Sequence, residues 1–324
     1  MIIYSQAPCR LSFFGGSTDI SPYCDLYGGL TINMAINLRQ KIIGYFDEDI
    51  LKFNDGQGGK NIFPLGANPQ FYYSILEEFD LSDMHQIKFK NEFDGIIESG
   101  IGSSASAAVA LLGVINRRKN LGLNSYQIAE KAWELEVDKI GLFGGKQDQY
   151  AATFGGINVI EFKKGGEVNV IPMARGFIEP LFPSLVLFYT GKNRKSSKIQ
   201  EGLKEPNSDQ IKALNRIKRL ALEAIDPISK GDFRVVGALL DEAWEWKKLS
   251  NKGVTNKELD DIYSKAKELG AYGGKTCGAG GGGFMLFVVN PTEREDFIKN
   301  LGLEWWDFSP DFNGLEVRIL PSEH

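Results

Sequence analysis

Histidine is almost absent from this sequence, and cysteine is scarce. Only His85 and His324 occur among 324 residues, so the sequence offers almost no candidate histidines for a Ser-His-Asp triad or for a zinc site with two histidine ligands. The three cysteines, Cys9, Cys24 and Cys277, are odd in number and far apart, which indicates reduced thiols rather than a disulfide framework. Any catalysis is therefore expected to use carboxylates, lysine or arginine, and an oxygen-loving metal ion.

The sequence also lacks a long apolar run and an excess of basic residues. Its longest apolar stretch, residues 105–115, is too short to cross a bilayer, and the first residues lack the features of a signal peptide. We therefore expect a cytoplasmic protein with no membrane partner. Lysine and arginine number 37 against 42 acidic residues, and the formal charge of −5 argues against nucleic acid as a partner. No signal of an oligomeric state is present.

The order of predicted strands and helices indicates an α+β fold. Strands and helices come in mixed runs without strict βα alternation, which predicts two lobes, residues 1–180 and 181–324. Strands are predicted near residues 2–9, 30–46, 86–92, 156–162, 167–172, 184–189, 283–289 and 315–320. Helices are predicted near residues 69–80, 103–119, 125–138, 209–225, 232–249, 256–269 and 292–300.

A turn rich in glycine and serine, residues 98–106, leads directly into a predicted helix of small and apolar residues. A helix N-terminus presents unpaired N–H groups and a partial positive charge, and glycine lets an anion approach the backbone. The hydroxyls of Ser103, Ser104 and Ser106 add groups that suit phosphate or Mg²⁺. The alternative is a tight turn with a serine N-cap. No Walker motif GxxxxGK[ST] occurs in the chain.

A second glycine run, residues 278–283, spells GxGxxG. A dinucleotide fold needs a strand before this motif and a helix after it, but the following Phe-Met-Leu-Phe-Val-Val is a strand by composition. The run therefore predicts a loop whose backbone passes close to another element or a ligand. A purely structural turn is the alternative. The glycines of this predicted structural loop are Gly278, Gly280, Gly281 and Gly282.

Two further segments carry polar groups suited to a ligand. The run from Arg10 to Asp19 holds a cation, two glycines, hydroxyls and a carboxylate, a density that suits a polyhydroxylated ligand. Asp148 follows a glycine turn, where an N-cap is the alternative role. Glu134 and Glu136 lie about twelve residues upstream, and a chain reversal at residues 141–145 would bring one of them to the same cleft.

These clusters, in this order, resemble the motifs of the GHMP kinases, the family of galactokinase, homoserine kinase, mevalonate kinase and phosphomevalonate kinase. The three matching stretches begin at Ala7, Gly100 and Lys275 and span nearly the whole chain. The sequence departs from the family at Cys9, where glycine is common, and in the four consecutive glycines of the last motif. The resemblance implies an N-terminal lobe like ribosomal protein S5 and a ferredoxin-like C-terminal lobe, with ATP and a sugar meeting between them.

The resemblance also implies a role for individual residues. Asp148 matches the catalytic aspartate, Arg10 the basic residue that accompanies it, and Glu136 the acidic Mg²⁺ ligand, with Glu134 as the alternative. Ser104 or Ser103 matches the hydroxyl near Mg²⁺. The implied ATP-binding residues are Gly100, Gly102, Ser103, Ser104, Ala105 and Ser106. The implied substrate-binding residues are Gly16, Ser17, Thr18, Asp19, Lys146 and Arg194.

Within the family, the stretches around Asp19 and Asp148 are most similar to kinases that phosphorylate the anomeric hydroxyl of a heptose 7-phosphate. Such a substrate needs a second anion site, and Arg194 lies in a basic run, residues 192–195, that suits one; a solvated basic loop is the alternative. The main alternative is a kinase that phosphorylates unphosphorylated fucose or galactose. A nicotinamide oxidoreductase and a binding protein without turnover are two others.

Overall fold

The computed structural model describes residues 1–46, 74–75, 77–80, 87–192 and 196–321. Half of the helix predicted near residues 69–80 lies outside the described residues, and so does Arg194. Within the described part of the chain, no helix is both long and apolar enough to span a membrane.

An antiparallel sheet of six strands forms the first lobe. Its strands are β1 (Ile2–Phe14), β2 (Gly29–Phe46), β3 (Ile87–Phe93), β4 (Ile157–Phe162), β5 (Val168–Met173) and β10 (Glu316–Leu320). The strand order is β10-β1-β2-β4-β5, and β3 also pairs with β2. Since β10 pairs with β1, the end of the chain returns to the first sheet. The boundary near residue 180 stays a prediction.

A second antiparallel sheet, of four strands, forms the other lobe. Its strands are β6 (Leu185–Tyr189), β7 (Gly273–Thr276), β8 (Phe284–Val288) and β9 (Glu304–Trp306). The strand order is β7-β8-β6-β9. The sequence did not predict β7, Gly-Gly-Lys-Thr, because it lacks the alternation and the β-branched or aromatic residues that are typical of a strand.

Helices cover both sheets. They are α1 (Tyr23–Tyr27), α2 (Ser103–Lys119), α3 (Ser125–Glu134), α4 (Gln147–Phe154), α5 (Arg175–Ile178), α6 (Ser196–Gln200), α7 (Ser208–Ser229), α8 (Phe233–Ser250), α9 (Lys257–Glu268) and α10 (Arg294–Leu301). The helix predicted to end near residue 225 continues through Pro227. Proline has no backbone N–H, so the helix loses one hydrogen bond at this position, but so close to the helix end the final turn still forms.

Helix α2 begins exactly where the glycine and serine turn predicted it. Its residues 105–115 are all buried, which small and apolar side chains allow on every face of a helix. The residue that precedes it, Gly102, has φ of 73°, a left-handed conformation that glycine adopts at low cost. The N-terminus of α2 therefore opens on a short turn of fixed shape.

The two lobes share one hydrophobic core. Leu11 and Ile32 of the first sheet belong to the same buried cluster as Leu187 and Leu286 of the second sheet. The buried ammonium of Lys275 on β7 also donates a hydrogen bond to the carbonyl of Ser12 on β1, over 2.6 Å. This packing fixes the last strands of the second lobe against the strand that carries Arg10.

The glycine run of residues 278–283 joins the lobes by close backbone packing. A Cβ atom at Gly278 would lie 2.7 Å from the carbonyl oxygen of Gly100, and one at Gly280 would overlap the carbonyl oxygen of Val254. The amide of Gly281 donates to that same carbonyl over 2.7 Å. The geometry therefore accounts for the glycines as a close-packed loop beside the turn that precedes α2.

We predict that Gly280→Ala lowers the free energy of unfolding by at least about 2 kcal/mol, because the new methyl group meets a backbone carbonyl that cannot move away. Gly270→Ala is the matched control. The two glycines have φ of 98° and 96°, but the nearest atom to a Cβ at Gly270 is 4.0 Å away. The control therefore reports the backbone strain alone, about 1 kcal/mol. Equal losses in urea unfolding would contradict the packing role.

Candidate active site

A cleft of about 580 Å³ lies between the first sheet's connecting loops and the second lobe. This volume is in the range of small-molecule sites in proteins. The segments that line it are distant in the sequence but include each of the motif regions. They contribute residues from 10–19, 98–105, 136–149, 197–200 and 278–279.

An ion pair between Arg10 and Asp148 lines the cleft. Arg10 Nε donates to Asp148 Oδ1 over 2.7 Å, and Nη2 donates to Oδ2 over 2.5 Å. The remaining Nη1 donates to the carbonyl of Gly100 over 2.6 Å. The arginine side chain is 5% exposed and the aspartate 27%, so the carboxylate is the partner that a ligand can reach. Each carboxylate oxygen keeps a lone pair for a further donor.

The turn before α2 lies against this pair. A Cβ at Gly102 would lie 3.3 Å from Asp148 Oδ2, so glycine lets the backbone approach the carboxylate. The first N–H groups of α2 have no partner within the helix, and the cleft lining includes Ser103, Ser104 and Ala105 from this end of the helix. A phosphate held there would be beside Asp148.

The three serines of this turn differ in their surroundings. Ser106 is buried, and its hydroxyl donates to the carbonyl of Ala7 over 2.6 Å, so it ties α2 to β1 and does not line the cleft. Ser103 and Ser104 line the cleft, and Ser104 is exposed. Ser104 is also the serine whose hydroxyl donates to Glu136 Oε1, over 2.6 Å.

Glu136 lies in a π-helical turn, Leu135–Lys139, that follows α3. Its second carboxylate oxygen accepts a hydrogen bond from the side-chain amide of Gln149. Burial raises the pKa of this carboxyl to about 7, against the opposing effect of the two hydrogen bonds. Glu134 instead pairs with Lys131 and is 43% exposed. Of the two glutamates, the structure therefore brings Glu136 into the cleft.

The donor set at Glu136 suits Mg²⁺. In kinases this ion is held by one or two carboxylates, by waters and by the substrate's phosphates rather than by a cage of protein ligands. Glu136 and Ser104 supply a carboxylate and a hydroxyl next to the turn that would hold the phosphates. Among the described residues, no group of three or more His, Cys, Asp or Glu could hold a metal ion by itself.

Asp19 is buried beside the helix that carries Asp148. Its carboxylate accepts hydrogen bonds from the backbone N–H of Gln147 over 3.0 Å, from the Gln147 side-chain amide over 3.1 Å and from the Ser17 N–H over 3.2 Å. Burial raises its pKa to about 6, although these donors favour the ionised form. Asp19 is thus hydrogen-bonded to Gln147, the residue that precedes Asp148 in the sequence.

The other residues expected to bind substrate have different positions. Gly16 and Ser17 line the cleft. Thr18 is fully buried and its hydroxyl bonds to the carbonyls of Gly15 and Leu30, which makes it part of the loop's framework. The ammonium of Lys146 pairs with Glu130 and lies 4.1 Å from the centre of the Trp133 ring, away from the cleft lining.

The residues that line the cleft but were not singled out from the sequence include four with polar side chains. Gln147 and Gln149 flank Asp148 and hold Asp19 and Glu136, and their alternating positions around Asp148 are the signal that could have revealed them. Ser197 and Gln200, on the short helix α6, have no comparable sequence signal.

Comparison with known families agrees with this geometry. The GHMP kinases N terminal domain matches residues 70–156, and the GHMP kinases C terminal domain matches residues 221–305. A heptose kinase from Campylobacter jejuni, D-glycero-alpha-D-manno-heptose 7-phosphate kinase, is 34% identical over 93% of this chain and 94% of its own length. This chain belongs to the GHMP kinase family. The predicted family and the predicted two-lobed α+β fold are confirmed.

Solved structures agree as well. This kinase aligns with the crystal structure of a D-glycero-D-manno-heptose 1-phosphate kinase from Bacteroides thetaiotaomicron with a TM-score of 0.76 and 29% identity, over 99% of this chain and 100% of the other. Lactococcus lactis galactokinase, solved with galactose, aligns with a TM-score of 0.70 at 18% identity over 98% and 95% of the two chains. At that identity the similarity shows the fold alone.

The raised pKa of Asp19 predicts a pH-dependent stability. Because the folded carboxyl, with a pKa of about 6, holds its proton more tightly than the unfolded one, at 3.8, the folded state loses stability as pH rises through this interval. The loss is at most about 3 kcal/mol. Glu136, whose pKa is raised to about 7, contributes a loss of the same sign. Urea unfolding between pH 4 and 7 should therefore show a total loss in the wild type that is smaller in Asp19→Asn by the contribution of Asp19. Asp226→Asn, on the surface of α7, is the control, and an identical pH dependence in all three proteins would contradict the assignment.

Proposed function

We propose that this kinase transfers the γ-phosphate of ATP to the anomeric hydroxyl of D-glycero-D-manno-heptose 7-phosphate, giving the 1,7-bisphosphate. The observation that carries the phosphotransfer is the Asp148 carboxylate, held by Arg10 directly beside the turn that opens α2. The choice of sugar is supported by the heptose 7-phosphate kinase of C. jejuni, which covers almost the whole chain.

In this proposal Asp148 accepts the proton of the anomeric hydroxyl as the oxygen attacks the γ-phosphorus. An anomeric hydroxyl is more acidic than an ordinary alcohol, so a carboxylate can serve as the base. The oxygen–phosphorus bond forms as the bond from the γ-phosphorus to the bridging oxygen breaks, and ADP leaves with that electron pair. Arg10 fixes the carboxylate through two hydrogen bonds, so its remaining lone pairs are aimed without further reorganisation.

The N–H groups of the turn before α2 would bind the phosphates and stabilise negative charge that develops during transfer, each contact contributing roughly 3 kcal/mol in the transition state. Glu136 and Ser104 would hold Mg²⁺, which, when bound, neutralises charge on the β- and γ-phosphates. Asp19 would accept a hydrogen bond from a sugar hydroxyl, because its carboxylate lines the cleft next to the base.

A kinase of an unphosphorylated sugar is the second candidate. It is favoured by the galactokinase of Pyrococcus furiosus, 29% identical over 92% of this chain, and by the L-fucokinase/L-fucose-1-P guanylyltransferase of Bacteroides fragilis, 27% identical over 93% of this chain and 36% of that protein. In this structure, four carboxylates line the cleft, a setting that is compatible with a neutral sugar.

We predict that Asp148→Asn lowers kcat by about a hundredfold or more, because an amide cannot accept the proton in the transition state. The variant should fold with a lower free energy of unfolding, because buried Arg10 loses its ionic partner while asparagine keeps the shape of the side chain and one acceptor oxygen. Its affinity for ATP should stay close to that of the wild type. Asp226→Asn serves as the surface control. Steady-state kinetics and nucleotide titration measure both effects, and full activity in Asp148→Asn would exclude this residue as the base.

The substrate is tested by ATP consumption with a panel of heptose 7-phosphate, heptose 1-phosphate, heptose, galactose and fucose. We expect the highest kcat/KM with the 7-phosphate, and NMR of the product should place the new phosphate on the anomeric oxygen. Equal or better use of an unphosphorylated sugar would replace the proposed substrate with the second candidate. A new phosphate on any other oxygen would contradict the assignment of the nucleophile.

A further inference from the structure

The end of the cleft at α6 differs from the rest of it in charge. The described residues that line the cleft include four carboxylates, on Asp19, Glu98, Glu136 and Asp148, against the single guanidinium of Arg10. That guanidinium is already committed to Asp148 and to the Gly100 carbonyl. A second phosphate on the sugar would be repelled over most of this surface.

The side chains at the α6 end are neutral and polar. Ser197, Gln200 and Phe143 all line the cleft. Neither Ser197 nor Gln200 makes a side-chain hydrogen bond with another described residue, so a hydroxyl and an amide are available to a ligand. Nearby, Lys204 lies 3.9 Å from Glu201 and 5.4 Å from the Phe143 ring centre, so these two charges offset each other.

A chain of contacts shows that this end lies beyond Asp19 as seen from the base. Gln147, which precedes Asp148 in the sequence, donates two hydrogen bonds to Asp19. Gly145 packs so closely on Asp19 that a Cβ there would overlap its carboxylate, and a Cβ on Gly144 would lie 3.3 Å from Gln200 Oε1. The order along the cleft is therefore the base, then Asp19, then the glycine pair, then α6.

We infer that Ser197 and Gln200 form the subsite for the phosphate at the far end of the sugar. The inference rests on the proposed function, in which the anomeric oxygen lies at Asp148. The anomeric oxygen and the C7 phosphate are at opposite ends of a heptose 7-phosphate, so a sugar seated at Asp148 and Asp19 directs its phosphate toward α6. There a hydroxyl and an amide can donate hydrogen bonds, and the residues of α6 that line the cleft carry no negative charge.

Gln200→Glu tests this subsite with almost no change in shape. The new carboxylate repels a phosphate but can accept hydrogen bonds from sugar hydroxyls. We expect kcat/KM for heptose 7-phosphate to fall about tenfold or more, mainly through KM, while kcat/KM for unphosphorylated heptose changes less than about twofold. The KM for ATP should stay unchanged, which would separate a substrate effect from general damage to the site.

Ser197→Ala is the second variant, because it removes one donor without adding charge. We expect a rise of roughly fivefold in the KM for the 7-phosphate, as for loss of one hydrogen bond to a charged group. Ser229→Ala, at the end of α7, is the matched control and should leave all constants unchanged.

The outcomes separate the subsite from the proposed function. A wild type that prefers the 7-phosphate, together with a Gln200→Glu variant that has lost this preference, supports the subsite. If the wild type has the preference and both variants retain it, the subsite is wrong and the proposed function stands. If the wild type does not distinguish the 7-phosphate from plain heptose, both the proposed substrate and the subsite are overturned.

Discussion

The bidentate ion pair between Arg10 and Asp148 determines how the rest of the cleft is arranged. Arg10 comes from β1, Asp148 from α4, and the third hydrogen bond of the guanidinium reaches the Gly100 carbonyl in the turn before α2. One side chain thus fixes the Asp148 carboxylate, the proposed base, relative to the N–H groups that would bind phosphate. Leaving Arg10 buried without Asp148 would cost more than the pair contributes, because an unpaired buried charge is strongly unfavourable.

Near this pair, the buried carboxylates of Asp19 and Glu136 each accept a hydrogen bond from a glutamine side chain. Gln147 donates to Asp19 and Gln149 donates to Glu136, so the two residues that flank Asp148 on one short helix hold the two carboxylates. Burial still raises the pKa of both acids, to about 6 and about 7. A cation at Glu136 would favour its ionised form, so metal binding there would be coupled to proton release.

The sequence predicted the parts of this site that depend on local chemistry. The start of α2 and the glycine loop follow from residue types and motif spacing. The residues alone left Glu134 and Glu136 open, and only the resemblance to the GHMP kinases favoured Glu136. The sequence does not predict the direction in which an individual side chain points, because that direction depends on tertiary contacts. Ser106 turns to the Ala7 carbonyl and Lys146 to Glu130, and the sequence shows neither partner. Strand β7 and the contribution of α6 also depend on neighbours that are distant in the chain.

The most direct test of Arg10 and Asp148 as one catalytic unit is a double-mutant cycle on kcat. The proteins are the wild type, Arg10→Met, Asp148→Asn and the variant with both changes, each checked for folding by thermal unfolding. If the two residues act together, the double variant will be no slower than the slower single variant, because the first change already abolishes their joint action. A double variant slowed by the product of the two single effects would show that they act independently and would contradict this role.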